Sequence, residues 1–143
     1  MRWSVTGGAP ALRPAARRAV DRAVALGADP DRRDHIELAV HELLANALEH
    51  GHGGDPDLAI GILVTRRGAG AVTVEISDRA VRGPWRAPAP TRPAHRADPP
   101  CRGRGWQLVD AVATASSAGG DDAGATVVRI ELPTLHAGPG SGS

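Results

Sequence analysis

Between positions 36 and 48 the chain carries Ile36, Ala39, Val40, Leu43, Leu44, Ala47 and Leu48, apolar residues that step by three and four. At 3.6 residues per turn they fall on one broad stripe, so the segment reads as a helix that has to bury one face. Whatever fold the chain adopts must supply an apolar layer opposite that stripe. Two β-rich runs, 57–64 and 71–76, are dense in Ile, Val and Leu and are separated by Arg66-Arg67-Gly68-Ala69-Gly70, a hairpin signature. A helix needing a partner and a hairpin able to provide one point to an α/β domain.

The remaining segments extend this reading. Residues 2–6 form a short strand closed by Gly7 and Gly8, and residues 10–26 repeat Leu12, Ala16, Ala19, Val20, Ala23 and Val24 at helical spacing until Gly27. Asp29-Pro30-Asp31 starts the helix at 36–48, with acids where the helix dipole favours them. Residues 79–102 hold six prolines and no sustained period, which predicts a long mobile loop, of a length that inside a small domain is usually either functional or disordered. Gly103-Arg104-Gly105 opens a further helix over Trp106, Leu108, Val109, Val112 and Ala113. Residues 125–132 form the last strand, with a short strand near 114–117 before it, and the Gly/Ser-rich residues 136–143 form a flexible tail. The order β-α-α-β-β-loop-α-β predicts a two-layer α/β sandwich, a mixed but mostly antiparallel sheet with helices on one face, occupying residues 1–135 as one domain.

Length and charge exclude several classes of function. A chain of 143 residues fits one compact domain. The 17 basic residues stand against 16 acidic ones, a net of +1, so no nucleic-acid footprint stands out. Every basic residue is arginine; without lysine neither a P-loop nor a eukaryotic-type kinase site can be assembled. The longest apolar run, 58–64, is far below the roughly 18 residues of a membrane span. The single Cys101 permits no internal disulfide and fits a reducing compartment, so a cytoplasmic location is expected. Arginines without acids in the first twenty residues have the composition of a transit peptide, but the helix at 10–26 accounts for them.

Chemistry concentrates in four places. On the helix, Glu42 and Asn46 lie four apart, hence on one face, with Asn46 at the edge of the buried stripe and Glu42 slightly further toward solvent. Asp78 closes the strand that ends Ile76-Ser77. Gly103-Arg104-Gly105 leads into a helix N-terminus, where backbone N–H groups and the helix dipole favour a phosphate. Gly124-Ala125-Thr126 opens the final strand. Other constellations fail: His41-Glu42 begins a zincin motif, but Ala45 stands where its second histidine belongs, and His50-Gly51-His52 has no third ligand nearby.

The stretch from Ala39 to His50, Ile76-Ser77-Asp78, Gly103 to Val109 and Gly124-Ala125-Thr126, in that order, resemble the motifs of the GHKL (Bergerat-fold) ATPases over about residues 5–133. The helix resembles their N box, Glu-x-x-x-Asn, and the chain looks most like the anti-sigma-factor serine kinases of actinobacteria. The resemblance implies an ATP-dependent protein serine/threonine kinase that phosphorylates an anti-anti-sigma (STAS-type) protein and sequesters a sigma factor, as a homodimer, without direct nucleic-acid or membrane contact. It implies Glu42 as general base, Asn46 as the Mg²⁺ ligand, Asp78 as acceptor for the adenine amino group, Gly103, Arg104 and Gly105 at the phosphates, Thr126 near the adenine, and 79–102 as the ATP lid. The first glycine box departs from the family's Asp-x-Gly-x-Gly. Asp78 is followed by Arg79, Ala80, Val81 and Arg82, and Gly83 falls one place late. The alternative expectation is therefore a catalytically inactive ATP-sensing or protein-binding module of the same fold.

Overall fold

A computed structural model describes residues 1–51, 57, 59–66, 68–78, 104–120 and 126–135. Gly103, the expected lid at 79–102 and the expected tail at 136–143 lie outside the described residues. The elements run β1 (Arg2–Val5), α1 (Ala9–Ala25), a 3-10 turn (Pro30–Arg32), α2 (Arg33–Asn46), a π-helical turn (Ala47–Gly51), β2 (Ile60–Arg66), β3 (Val72–Ser77), α3 (Arg104–Val112), β4 (Ala115–Gly120) and β5 (Thr126–Leu132).

The strands form one open sheet in the order β1-β2-β3-β5-β4, and every pairing among the described residues is antiparallel. β3 and β4 point the same way with β5 between them, because Val72 and Ala115 both start at the end of the sheet where β5 finishes. Joining two such strands takes a crossover, and α3 lies on it. Strand alternation then separates the two faces. Ile62, Val64, Val74, Ile76, Ile130 and Leu132 form one core with Ala16, Val20, Ile36, Val40, Leu44 and Val109 of the three helices. This is the two-layer arrangement, helices on one side, that the apolar stripe of α2 demands.

The other face of the central strands is polar. Thr65 and Thr73 share a hydroxyl hydrogen bond of 2.7 Å across β2 and β3, and Glu75 pairs with Arg129 of β5 at 3.7 Å. Both contacts join residues directly opposite in the ladder, where side chains come closest.

The end of the sheet at Arg66 and Leu132 is fastened to the α1–α2 connection. Asp29 N–H donates to the Pro133 carbonyl at 3.0 Å, Ala28 bridges to Thr134, and Leu135 N–H donates to Gly27 at 3.3 Å. Asp29 also caps the 3-10 turn, its Oδ1 accepting from Asp31 N–H at 2.9 Å.

Arg66 finishes the junction by donating from Nη1 to the Leu26 carbonyl at 2.7 Å and from Nε to Gly70 at 3.0 Å. A cation on the last carbonyls of α1 satisfies an orphan acceptor and complements the helix dipole. The arrangement needs Gly27. Its φ of +114° is unfavourable for other residues, and a Cβ there would collide with Arg66 Nη1. Gly27→Ala is expected to cost about 2 kcal/mol of stability, from backbone strain plus a displaced charged hydrogen bond. Urea unfolding measures it. In an Arg66→Ala background the same substitution should cost less, because only the backbone strain remains.

Candidate functional site

The fastened end of the sheet decides where everything else arrives. α2 begins there, since Asp29 bonds to Pro133. Its 14 residues extend about 21 Å at 1.5 Å each, roughly the length of a six-residue strand, so its C-terminus reaches the opposite end of the sheet. Glu42 and Asn46, in its last two turns, are carried to that end, and both are half-buried. Asn46 is the final α-helical residue before the backbone widens into the π turn at Ala47–Gly51. The sequence pattern shows one continuous helix here; the π turn has no periodic signature that would have revealed it.

α3 reaches the same end from the other direction. Its C-terminus is held at the fastened end, where Thr114 N–H donates to the Glu131 carbonyl at 2.8 Å and Arg32 Nη1 reaches the Ala111 carbonyl at 3.4 Å. α3 therefore runs opposite to α2, and its N-terminus, at Arg104 and Gly105, lies at the end that holds Asn46. The positive pole of the α3 dipole points the same way.

Asp78 and Thr126 meet at this end in direct contact. Asp78 follows β3 and Thr126 opens β5, so continuing the β3–β5 ladder past Ser77–Val127 brings them opposite each other. Asp78 N–H donates to the Thr126 carbonyl at 3.0 Å, as a regular rung would. The return bond is irregular, because Thr126 N–H donates at 2.9 Å to Asp78 Oδ1, the side chain. The carboxylate thus replaces its own backbone carbonyl in the last rung. One oxygen is fixed by the sheet, and an ionised carboxylate retains acceptor capacity on the other. Asp78 is half-buried and Thr126 exposed.

The four separate sequence pieces therefore converge on one end of the domain: the last turns of α2, the end of β3, the start of α3 and the start of β5. Sequence reasoning picked out Thr126 for its side chain; the contact that the structure gives it is through its backbone. Any residue other than proline at position 126 can make that bond, so no residue type announces it.

The assembled groups suit a nucleotide and its metal. A carboxamide oxygen at Asn46 is a hard donor of the kind Mg²⁺ accepts beside phosphate oxygens and water. An acceptor-only carboxylate at Asp78 is matched to an N–H donor such as an exocyclic amine. A helix N-terminus is matched to phosphate. Among the described residues no group of three or more His, Cys, Asp and Glu could hold a metal by protein ligands alone. Also among them, no helix is long and apolar enough to cross a membrane.

Comparison with known proteins agrees with this chemistry. The family model described as histidine kinase-like ATPase domain matches residues 8–131, from the start of α1 almost to the end of β5. No curated protein sequence matches the chain.

Proposed function

The chain belongs to the histidine kinase-like ATPase domains, and from that premise we propose that it is a protein serine kinase of the anti-sigma-factor type. In this reading it binds Mg-ATP and phosphorylates a serine of an anti-anti-sigma, STAS-type protein. In its other state it holds a sigma factor, and it works as a homodimer. The observation that carries the reading is the Asp78 carboxylate, fixed by Thr126 N–H at the end of the sheet where α2 and α3 converge.

Each residue then has one task. Asp78 accepts from the adenine amino group, with Thr126 beside the base. The backbone of Gly103, Arg104 and Gly105 receives phosphate oxygens. Asn46 holds Mg²⁺, which when bound supplies neutralising charge to the phosphates. Glu42 accepts the proton of the substrate serine hydroxyl as its oxygen bonds to the γ-phosphorus; the bond to the β–γ bridging oxygen breaks and ADP leaves. With no lysine in the chain, arginine, the metal and the α3 dipole must share the task of balancing phosphate charge.

A second reading is favoured by the residues after Asp78. Arg79, Ala80, Val81 and Arg82 replace a glycine box, and side chains there restrict how closely backbone can approach a base. In that case the domain is a regulatory module that binds nucleotide or protein without turnover.

Calorimetric titration with Mg-ATP separates the two before any kinase assay. The kinase reading expects saturable binding that Asn46→Ala weakens on the order of tenfold or more, by removing the metal ligand. A folded protein that binds no Mg-ATP, or binds it equally well without Asn46, would sink the kinase reading.

A further inference from the structure

The two faces of the β3–β5 ladder differ in what they can specify. On the helix side the opposed pairs are Val72–Leu132, Val74–Ile130 and Ile76–Val128. All six residues are aliphatic. Sliding β5 by two residues along β3 again sets aliphatic against aliphatic and keeps the same face toward the helices. Such a slip displaces one strand past the other by about 7 Å, at roughly 3.4 Å per residue. Apolar packing alone therefore does not bring Asp78 opposite Thr126.

The polar face is not interchangeable. Its pairs are Thr73–Glu131, Glu75–Arg129 and Ser77–Val127. The Glu75 side chain is only 5% exposed, and Arg129 Nε lies 3.7 Å from its Oε1. A slip of two in one direction sets Glu75 against Glu131, carboxylate against carboxylate. In the other direction it sets Glu75 against Val127, which is itself buried. A carboxylate buried this deeply is costly in either arrangement, because its cation has moved away. Arg129 Nε is also buried and has no hydrogen-bond partner, so at that atom the pair supplies attraction between charges and no directional bond. A pair of this kind is a poor source of stability, and fixing register is the best-attested use of one.

We propose that Glu75 and Arg129 are positioning residues for the site at the end of the sheet: their pairing selects the β3–β5 register that delivers the Asp78 carboxylate to Thr126 N–H. Asp78 stands three residues after Glu75 and Thr126 three before Arg129, so the ion pair and the irregular rung belong to one ladder. Neither Glu75 nor Arg129 is assigned a contact with nucleotide; both act through Asp78. The task of Asp78 toward adenine rests on the function proposed above, whereas its seating against Thr126 does not.

Hydrogen exchange at the Thr126 amide reads that seating directly, without nucleotide. In Arg129→Gln, which removes the cation, exchange at Thr126 is expected to accelerate on the order of tenfold or more relative to Asp29, whose N–H bonds to Pro133 at the opposite end of the sheet. Arg129→Lys keeps the charge and should keep most of the protection; circular dichroism establishes that each variant is folded. Mg-ATP affinity should fall about tenfold in Arg129→Gln, and by much less when Asp78→Asn is already present, because both changes act on one contact. Equal acceleration at Thr126 and Asp29, or none at either, would overturn the proposal, and so would affinity losses that simply add. If the unsubstituted protein binds no Mg-ATP, the nucleotide reading fails and the exchange ratio alone decides whether the pair sets the register.

Discussion

Glu42→Gln is expected to lower phosphate transfer by about 10²- to 10⁴-fold, the range that a positioned general base contributes, while Mg-ATP binding stays within a few-fold. The substitution keeps the shape of the side chain and removes its capacity to take a proton. Glu42 lies one turn before Asn46 on the same face of α2, half-buried, so on the proposed reading the base and the metal ligand would enter the site on a single rigid element. The readout is the rate of radiolabel transfer from ATP to serine on an anti-anti-sigma protein, with nucleotide affinity measured alongside. If transfer survives in Glu42→Gln, Glu42 is not the base. If both rate and affinity collapse, the residue supports the fold or the nucleotide instead.

Asp78→Asn should weaken ATP binding about 100-fold without unfolding the domain. The asparagine oxygen can still accept the Thr126 N–H, so the last rung of β3 and β5 is preserved. The other side-chain atom becomes an NH₂ group and, in the proposed adenine contact, would present a donor to the donor amine of the base. Losing a hydrogen bond to a charged group costs about 1.5–3 kcal/mol, and opposing two donors adds desolvation that nothing repays. Asp78→Ala serves as the contrast: it removes both contacts and should cost stability as well as affinity, so thermal unfolding distinguishes the two variants. Nucleotide affinity unchanged in Asp78→Asn would remove the residue from the adenine site.

Both expectations rest on residues that were legible in the sequence, but legible in different ways. The apolar steps of α1 and α2 fix which side of each helix is buried, and Leu12, Ala16, Ala19, Val20, Ile36, Ala39, Val40, Leu43 and Leu44 are all buried as their spacing requires. The two hairpin strands are where β-rich composition puts them, although β2 runs Ile60–Arg66 where 57–64 was expected. That shift has a tertiary cause. Arg66 pairs with Val72 in the ladder and sends its guanidinium to the end of α1, so a charged residue that reads locally as turn belongs to the strand. The weak strand expected near 114–117 is β4, Ala115–Gly120, an edge strand poor in β-formers that pairs along its length with β5.

For the candidate site the division is sharper. Local pattern leaves Glu42, Asn46, Asp78, Gly103, Arg104, Gly105 and Thr126 unremarkable one by one; what singles them out is their order and spacing along the chain, which resemble the GHKL motifs. Periodicity is a property of neighbours within a few residues, and it holds no information on which distant segments pair. The sequence by itself determined the helices, their buried stripes, the hairpin and the residue types available for chemistry. Only the tertiary structure decided that β5 inserts between β3 and β4, that α2 and α3 run in opposite directions, and that Asp78 is locked by the backbone of a residue 48 positions away. The physical reason is that backbone hydrogen bonding is blind to side-chain identity: the Thr126 N–H that orients Asp78 exists at almost every position of the chain, and only closure of the sheet selects that one.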